Sequence, residues 1–412
     1  MYLPFARLRD RDPLPNGATV LGIALVLRIA AAVLMPHQHV LDADVYRRAS
    51  EATWASVPAD TLIMPLYPTL LGFFGSGIGQ VIFDVVLSTL MAWIVYELTL
   101  AVFADRAAAR IAGLVTACYP HFIFYAVIGV PDTLFMELLL GALVAWYRGA
   151  FGWAALFAVL SILTRPALDL LAPILVLYFA FMFHRLPQAR ALRHLATYAA
   201  VYVALMSPWW LHNYKAYGEF VRLDLGSGLV LYSQNNPHEA DSPQSESDRA
   251  RFAAITDPVA RDRAMWNAGL SFIAQDPGRF AGRAARKFVG FWRPWPDAPA
   301  YADRSYFVLS VASFAPVLVF ALVYLRIWGR REIAQTAPIL MLFAYLTAVH
   351  VVLDGSPRWR LPLEPMMIVL ATVAAVRLIC RWPGARLVID RIADREPEPP
   401  PDEREGTPAG TP

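Results

Sequence analysis

Two kinds of residue are scarce in this chain, and each scarcity removes a class of explanation. Only two of the 412 residues are cysteine, Cys118 and Cys380. Both fall inside apolar runs, so no structural disulfide is expected and the cysteines say nothing about redox compartment. Charge is scarce too: 17% of residues are Asp, Glu, Lys or Arg against 57% hydrophobic, and the mean hydropathy is +0.44. A soluble domain needs a largely polar surface, which this composition does not supply. The formal net charge of +3 gives no reason to expect a nucleic-acid partner. Most basic residues sit in short segments between apolar runs, where membrane topology accounts for them. No A-x-A-like cleavage site ends the first apolar run, so it is expected to remain as an uncleaved helix behind the basic stretch MYLPFARLRDRDPLPNG.

What the chain does have is a series of apolar runs. Crossing the hydrocarbon of a bilayer takes about 20 such residues in a helix. Candidate spans fall at about 18–36, 80–103, 108–128, 132–147, 150–164, 167–183, 195–211, 306–326, 335–353 and 362–380. The pattern predicts an all-α polytopic membrane protein of about ten transmembrane helices, with both termini on one side. Arginines mark every second connection, among them Arg7, Arg9, Arg106, Arg148, Arg190, Arg330 and Arg381, which makes that side cytoplasmic. The expected organisation is a cytoplasmic N-terminus at 1–17, a transmembrane domain at 18–382 with outer loops at about 37–79 and 212–305, and a tail at 383–412. The end of that tail, EPEPPPDEREGTPAGTP, is proline-rich and acidic and is expected to be disordered.

The polar material collects on the outer side. In MPHQHVLDADVYRRAS, Asp42 and Tyr46 are four residues apart and share a face if the segment is helical, whereas Asp44 points elsewhere. The stretch MPLYPTLLGFFG that follows, Met64 to Gly75, is expected to lie on the membrane. Carboxylates beside such a surface suit a substrate that is half lipid, while a solvated loop start is the plain alternative. Asp132 sits where one span ends and the next begins, and an acidic residue there also suits a helix start. Arg165, alone on the outer face, can take a phosphate bidentately or snorkel to headgroups, and Asp169 one turn later is a candidate structural partner. The segment DPGRFAGRAARKFVGFWRP carries Arg279, Arg283, Arg286 and Lys287 at helical spacing, the pattern of an interfacial helix drawn to anionic membrane lipids. In DGSPRWRLPLEP, Arg358 and Arg360 stand at the mouth of the last span, where a pair of arginines can hold a phosphate or pyrophosphate.

Taken in order, D-A-D-V-Y, M-P-L-Y-P, P-D-T-L-F, T-R-P, P-W-W-L-H-N-Y, G-S-G, N-N-P, K-F-V-G-F-W and P-R-W-R-L-P-L-E-P resemble the GT-C superfamily of polytopic glycosyltransferases. The branch they most suggest is that of protein O-mannosyltransferase-like and lipid A aminoarabinose transferase-like enzymes. The resemblance covers about 27–381. It implies inverting transfer of a sugar from a polyprenyl-phosphate donor to a glycan, lipid or protein acceptor on the outer face, in a bacterial inner membrane. It makes Asp42 the general base, with Asp44 as the alternative. Arg358 and Arg360, with Arg165 or Lys287, would hold the donor phosphate. Tyr46, Tyr67, Asn213 and Asn235 fall on motif positions that would orient donor or acceptor. No cofactor is fixed by the resemblance; a divalent cation, magnesium or manganese, held by Asp132 with Asp42 is open. Ala43 follows Asp42 where many relatives carry a second acid, which leaves one carboxylate fewer there. A transporter or flippase of an anionic or lipid-linked substrate is the alternative from another class. It predicts charges near mid-membrane and internal repeats.

Overall fold

The computed structural model describes residues 15–35, 41–51, 63–75, 77–238, 242–296 and 303–381. Among these there is no strand, and the helices run α1 (Pro15–Leu34), α2 (Leu41–Glu51), α3 (Leu66–Phe74), α4 (Ile78–Phe103), α5 (Arg106–Cys118), α6 (Pro120–Tyr125), α7 (Asp132–Tyr147) and α8 (Phe151–Thr164). They continue through α9 (Ala172–Leu177), α10 (Gln188–Tyr217), α11 (Ser227–Asn235), α12 (Pro243–Ala253), α13 (Pro258–Gln275), α14 (Pro277–Trp292), α15 (Arg304–Ile327), α16 (Ile333–Val352) and α17 (Glu364–Ile379). Among the described residues, five stretches are helical, long and apolar enough to cross a membrane: Gly17–Leu34, Ile78–Phe103, Arg304–Ile327, Ile333–Val352 and Pro357–Ile379. The chain is an integral membrane protein.

Several of the expected spans take another form. Pro120 has no amide hydrogen, so the run at 108–128 breaks: α5 ends at Cys118, Tyr119 turns extended, and α6 restarts with Pro120 at its first position. The run at 167–183 becomes a 3-10 turn from Pro166, then α9, then π-helical Tyr178–Phe183. The run at 195–211 is the middle of α10, whose 30 residues reach about 45 Å at 1.5 Å each and so extend past a bilayer core.

The apolar faces sort accordingly. α17 is hydrophobic all round and sits at the centre, with Met366 to Leu370 essentially inaccessible; such a helix belongs inside a bundle. α5 and α15 pack against it. α1 lies at the periphery against α4 and α5 and leaves Val26, Val33 and Leu34 exposed, as a lipid-facing helix does. Its Arg28 is fully buried and satisfied, donating to Ser88 Oγ at 2.8 Å and to the carbonyls of Ala24, Ala117 and Thr116. Glu137, buried in α7, lies within electrostatic reach of it.

The connection after α10 is a packed helical unit. Asn213 Nδ2 donates to the carbonyls of Val221 and Leu223, and the indoles of Trp209 and Trp210 donate to Leu223 and Arg222, folding the chain back on the end of α10. α11 then lies directly on α13. A Cβ at Gly228 would meet the Asp262 carbonyl at 2.1 Å and one at Gly269 would meet Leu231 at 2.9 Å, so only glycine allows the approach.

Candidate active site

The site begins at the start of α7. Asp132 is its first residue, 2% exposed, and its Oδ2 accepts from Arg165 Nη2 at 2.7 Å and from Arg358 Nη2 at 3.2 Å. Arg165 follows the last residue of α8 in extended conformation because Pro166 comes next, which carries its side chain away from the helix axis. Arg358 comes from the 3-10 turn Pro357–Leu363 that leads into α17. Both guanidiniums lie over the Trp359 ring, at 4.9 and 5.4 Å from its centroid. Trp359 is held by its indole N–H, which donates to Asp354 Oδ2 at 2.7 Å, and by stacking on His350, itself stacked on Phe291.

Two guanidiniums thus converge on one buried carboxylate. Arg165 Nε is buried without a hydrogen-bond partner among the described residues. The side chains of Arg165 and Arg358 are 13% and 24% exposed, so the pair is sheltered yet reachable. Guanidiniums held in place by the fold in this way can stabilise an anion developing on a leaving phosphate.

Asp169, the sequence neighbour that could have occupied Arg165, is taken elsewhere: Arg222 Nη2 reaches it at 2.5 Å and Tyr202 donates to it at 2.6 Å. Arg360, in contrast, stands apart from Arg358. It is 1% exposed, pairs with Glu364 at 2.8 Å, donates to the carbonyls of Phe291 and Arg293, and lies 3.5 Å from the centroid of Phe314. Its donors and its charge are spent inside the protein, which corrects the expectation that it contacts a phosphate. Asn213 is likewise inside the outer turn it holds, 1% exposed.

Lys287 and Asn235 do come together. Lys287 Nζ donates to the Val352 carbonyl at 3.0 Å and approaches Asn235 Oδ1 at 3.4 Å, and Asn235 Nδ2 donates to the same Val352 carbonyl. A Cβ on Gly355 would meet Lys287 backbone at 2.5 Å, so α14 lies backbone to backbone on the loop that carries Arg358. Burial, then the nearby Arg283, push the Lys287 amine down to about 8.

The segment of α2 also reaches this end of the bundle. A Cβ on Gly129, two residues before Pro131, would lie 3.7 Å from Ala43 Cβ, so the first turn of α2 packs against the loop leading into Asp132. Asp42 is in that turn; its side chain lies outside the described residues. Asp44 points to another face, where Arg47 holds it at 3.3 Å. Tyr46 packs edge-on against Tyr67 with ring centroids 5.5 Å apart, and the Tyr67 hydroxyl donates to Asp84 at 3.0 Å, so these two tyrosines fix α2 and α3 on α4. A divalent cation at Asp132 would sit against two guanidiniums, and the residues present there do not fit one.

Two further participants were not singled out from the sequence. Trp359 carries both arginines. Asp224, in LDLGSG, lies within electrostatic reach of Arg165, and burial followed by repulsion from Asp262 raises its carboxyl to about 7. An acid two residues before a Gly-Ser-Gly segment was the available signal.

No protein-family model matches this sequence, and no curated protein matches it as a sequence relative. Solved structures do match. One is the archaeal oligosaccharyltransferase AglB from Archaeoglobus fulgidus in complex with an inhibitory peptide and a dolichol-phosphate, at TM-score 0.55 and 16% identity, over 93% of this chain and 52% of that one. A second structure of the Archaeoglobus fulgidus oligosaccharyltransferase, tethered to an acceptor peptide containing the NVT sequon, matches at TM-score 0.53 and 16% identity, over 95% of this chain and 57% of that one. The chain spans a little over half the length of the structures it matches. It has the GT-C fold, as the resemblance implied.

Proposed function

We propose that this chain is a membrane glycosyltransferase that moves a sugar from a polyprenyl-phosphate donor to a glycan, lipid or protein acceptor at the outer face of a bacterial inner membrane. The observation that carries the reading is the convergence of the Arg165 and Arg358 guanidiniums on Asp132 over the Trp359 ring within a GT-C fold. The archaeal enzyme of that fold is bound to a dolichol-phosphate in one structure, which supports a lipid-phosphate donor here. About ten crossings with both termini cytoplasmic remain the topology we favour.

The reaction is a single displacement with inversion. The acceptor oxygen forms a bond to the anomeric carbon, the bond from that carbon to the phosphate oxygen breaks, and its electron pair leaves on the polyprenyl phosphate. Arg165 and Arg358 stabilise that oxygen, and Lys287 adds charge from the adjoining helix. The acceptor proton passes to Asp42, with Asp44 as the alternative base. Tyr46, Tyr67 and Asn235 hold the surrounding segments in place, and the chemistry requires no metal step.

The purified protein in lipid nanodiscs, given a panel of radiolabelled polyprenyl-phosphate sugars and membrane acceptors, tests this directly. Transfer that disappears in Asp42→Asn, with lipid binding retained, establishes both reaction and base. The buried Arg28 and Glu137 are what a transporter or flippase would also carry, and substrate movement without covalent transfer would select that reading.

A further inference from the structure

A second basic feature lies farther out on α14 and plays no part in the chemistry above. Arg279, Arg283 and Lys287 are spaced by four and occupy one helical face. Arg279 Nη2 donates to the Pro237 carbonyl and Arg283 Nη1 to the Asn236 carbonyl, each at 2.7 Å. The face is therefore turned onto the N-N-P turn after α11, whereas the sequence suggested a face given over to lipid headgroups. Neither arginine makes an ion pair among the described residues, and each uses a single nitrogen on a neutral acceptor. Like charges stay unrelieved: burial, Arg279 and Arg286 together lower the Arg283 guanidinium from its ordinary value.

Beside these two arginines is a cleft of about 170 Å³ between α13, α14 and the turn. Phe272 and Phe280 give it aromatic surface and Gln275 gives it an amide, while the amide of Asn235 in its wall is already bonded to the carbonyls of Leu231 and Val352. Its acid, Asp276, is occupied in capping α14, with Oδ1 accepting from the Arg279 amide at 2.9 Å. Aromatic faces, amides and unpaired guanidiniums are the means of binding a sugar that bears a negative charge: rings cover its C–H faces, amides take its hydroxyls, and arginines take its carboxylate or phosphate. The cleft is also in line with the reaction site. Along α14, Arg283 and Arg279 lie about 6 and 12 Å beyond Lys287, at 1.5 Å per residue.

We propose that this cleft binds the anionic group of a saccharide acceptor, carboxylate or phosphate, and holds that acceptor along α14 toward Arg358. The word acceptor rests on the glycosyltransferase reading; the anion site itself does not. Arg279 and Arg283 act here as specificity-determining residues, remote from the reacting atoms.

The test is protection of arginines from phenylglyoxal, read residue by residue by mass spectrometry on the full chain in phosphatidylcholine nanodiscs. The probes are trigalacturonate as a carboxylated saccharide, maltotriose as its neutral counterpart and farnesyl phosphate as a donor-like anion. Trigalacturonate is expected to slow modification of Arg279 and Arg283 by roughly tenfold, the worth of one charge-assisted hydrogen bond, and to leave Arg286 unchanged. Calorimetric affinity for it is expected to fall by a similar factor in the Arg279→Gln/Arg283→Gln variant. Protection by farnesyl phosphate alone, equal protection by maltotriose, or no protection overturns the proposal, and since this readout uses the wild-type chain it does not depend on that variant folding. Protection by trigalacturonate in a protein that transfers no sugar would keep the anion site and remove the transferase reading.

Discussion

Arg165 at the end of α8 donates to Asp132 at the start of α7 across 2.7 Å, and the same carboxylate oxygen accepts from Arg358 at 3.2 Å, 226 residues further along the chain. One carboxylate therefore ties three separate segments to a single point. The two guanidiniums gathered at that point over Trp359 are the basis of the functional reading.

Asp132 and Arg358 should be energetically coupled. Removing Asp132 leaves two sheltered guanidiniums side by side, whereas removing Arg358 leaves Asp132 its bond to Arg165, so the Asp132 change costs more than its contact with Arg358 alone. In a double-mutant cycle of Asp132→Asn and Arg358→Gln, followed by denaturant unfolding in micelles, we expect a coupling energy of about 1 kcal/mol or more. Strict additivity would mean that the pair is not formed.

Lys287 sets a basic limit. With its amine at about 8 in the folded chain against 10.5 ordinarily, the protonated form is disfavoured by folding. Stability therefore rises with pH between those two values, where the unfolded chain binds the extra proton. Donor-phosphate binding should move the other way and weaken as the pH passes about 8, with bound phosphate shifting the step upward. Lys287→Arg should flatten that step and Lys287→Met should remove it, as read from farnesyl phosphate affinity between neutral and alkaline pH.

Asp224 supplies a second, lower step. Its carboxyl, raised to about 7, ionises at a cost to the folded chain, so stability falls as the pH rises from the ordinary aspartate range toward 7. Once ionised, it competes with the donor phosphate for Arg165. Asp224→Asn is expected to abolish the loss of donor affinity near neutrality while the Lys287 step persists. If the profile near pH 7 is identical in wild type and Asp224→Asn, Asp224 does not act on the site.

Gly355→Ala tests the seam between the two cationic elements. A Cβ there would stand 2.5 Å from the Lys287 carbonyl and 2.6 Å from its Cα, backbone atoms that give way only if α14 shifts. Such overpacking costs roughly 1–3 kcal/mol. We expect lower thermal stability together with weaker donor binding, since Lys287 would move relative to Arg358. Wild-type affinity in a folded variant would mean that Lys287 does not share the donor site.

Much of the scaffold is legible in the sequence because long apolar runs such as those of α4, α15 and α16 allow few other outcomes in a membrane. Proline explains one failure, since Pro120 divides a run that read as continuous, whereas the run at 167–183 changes helix type along its length. The site was legible in its residue types but not in its pairings. Asp169 is Arg165's near neighbour in sequence, yet the partner is Asp132, 33 residues back, because α8 returns to the N-terminal end of α7. Arg358 and Arg360 read as a pair from their spacing. In a 3-10 turn, however, residues two apart point about 120° apart, so one faces Asp132 and the other faces Glu364 inside the bundle. The docking of α2 against the loop at Gly129 depends on tertiary contact and had no local signal.

The most direct test of the central claim is the affinity of farnesyl phosphate for the wild-type protein and for Arg358→Gln, in nanodiscs at neutral pH and equal folded amount. If Arg165 and Arg358 hold the donor phosphate, the loss of one charge-assisted hydrogen bond weakens binding by about tenfold or more. Unchanged affinity in a folded Arg358→Gln protein would contradict the account and leave the arginine pair as a structural clamp on Asp132.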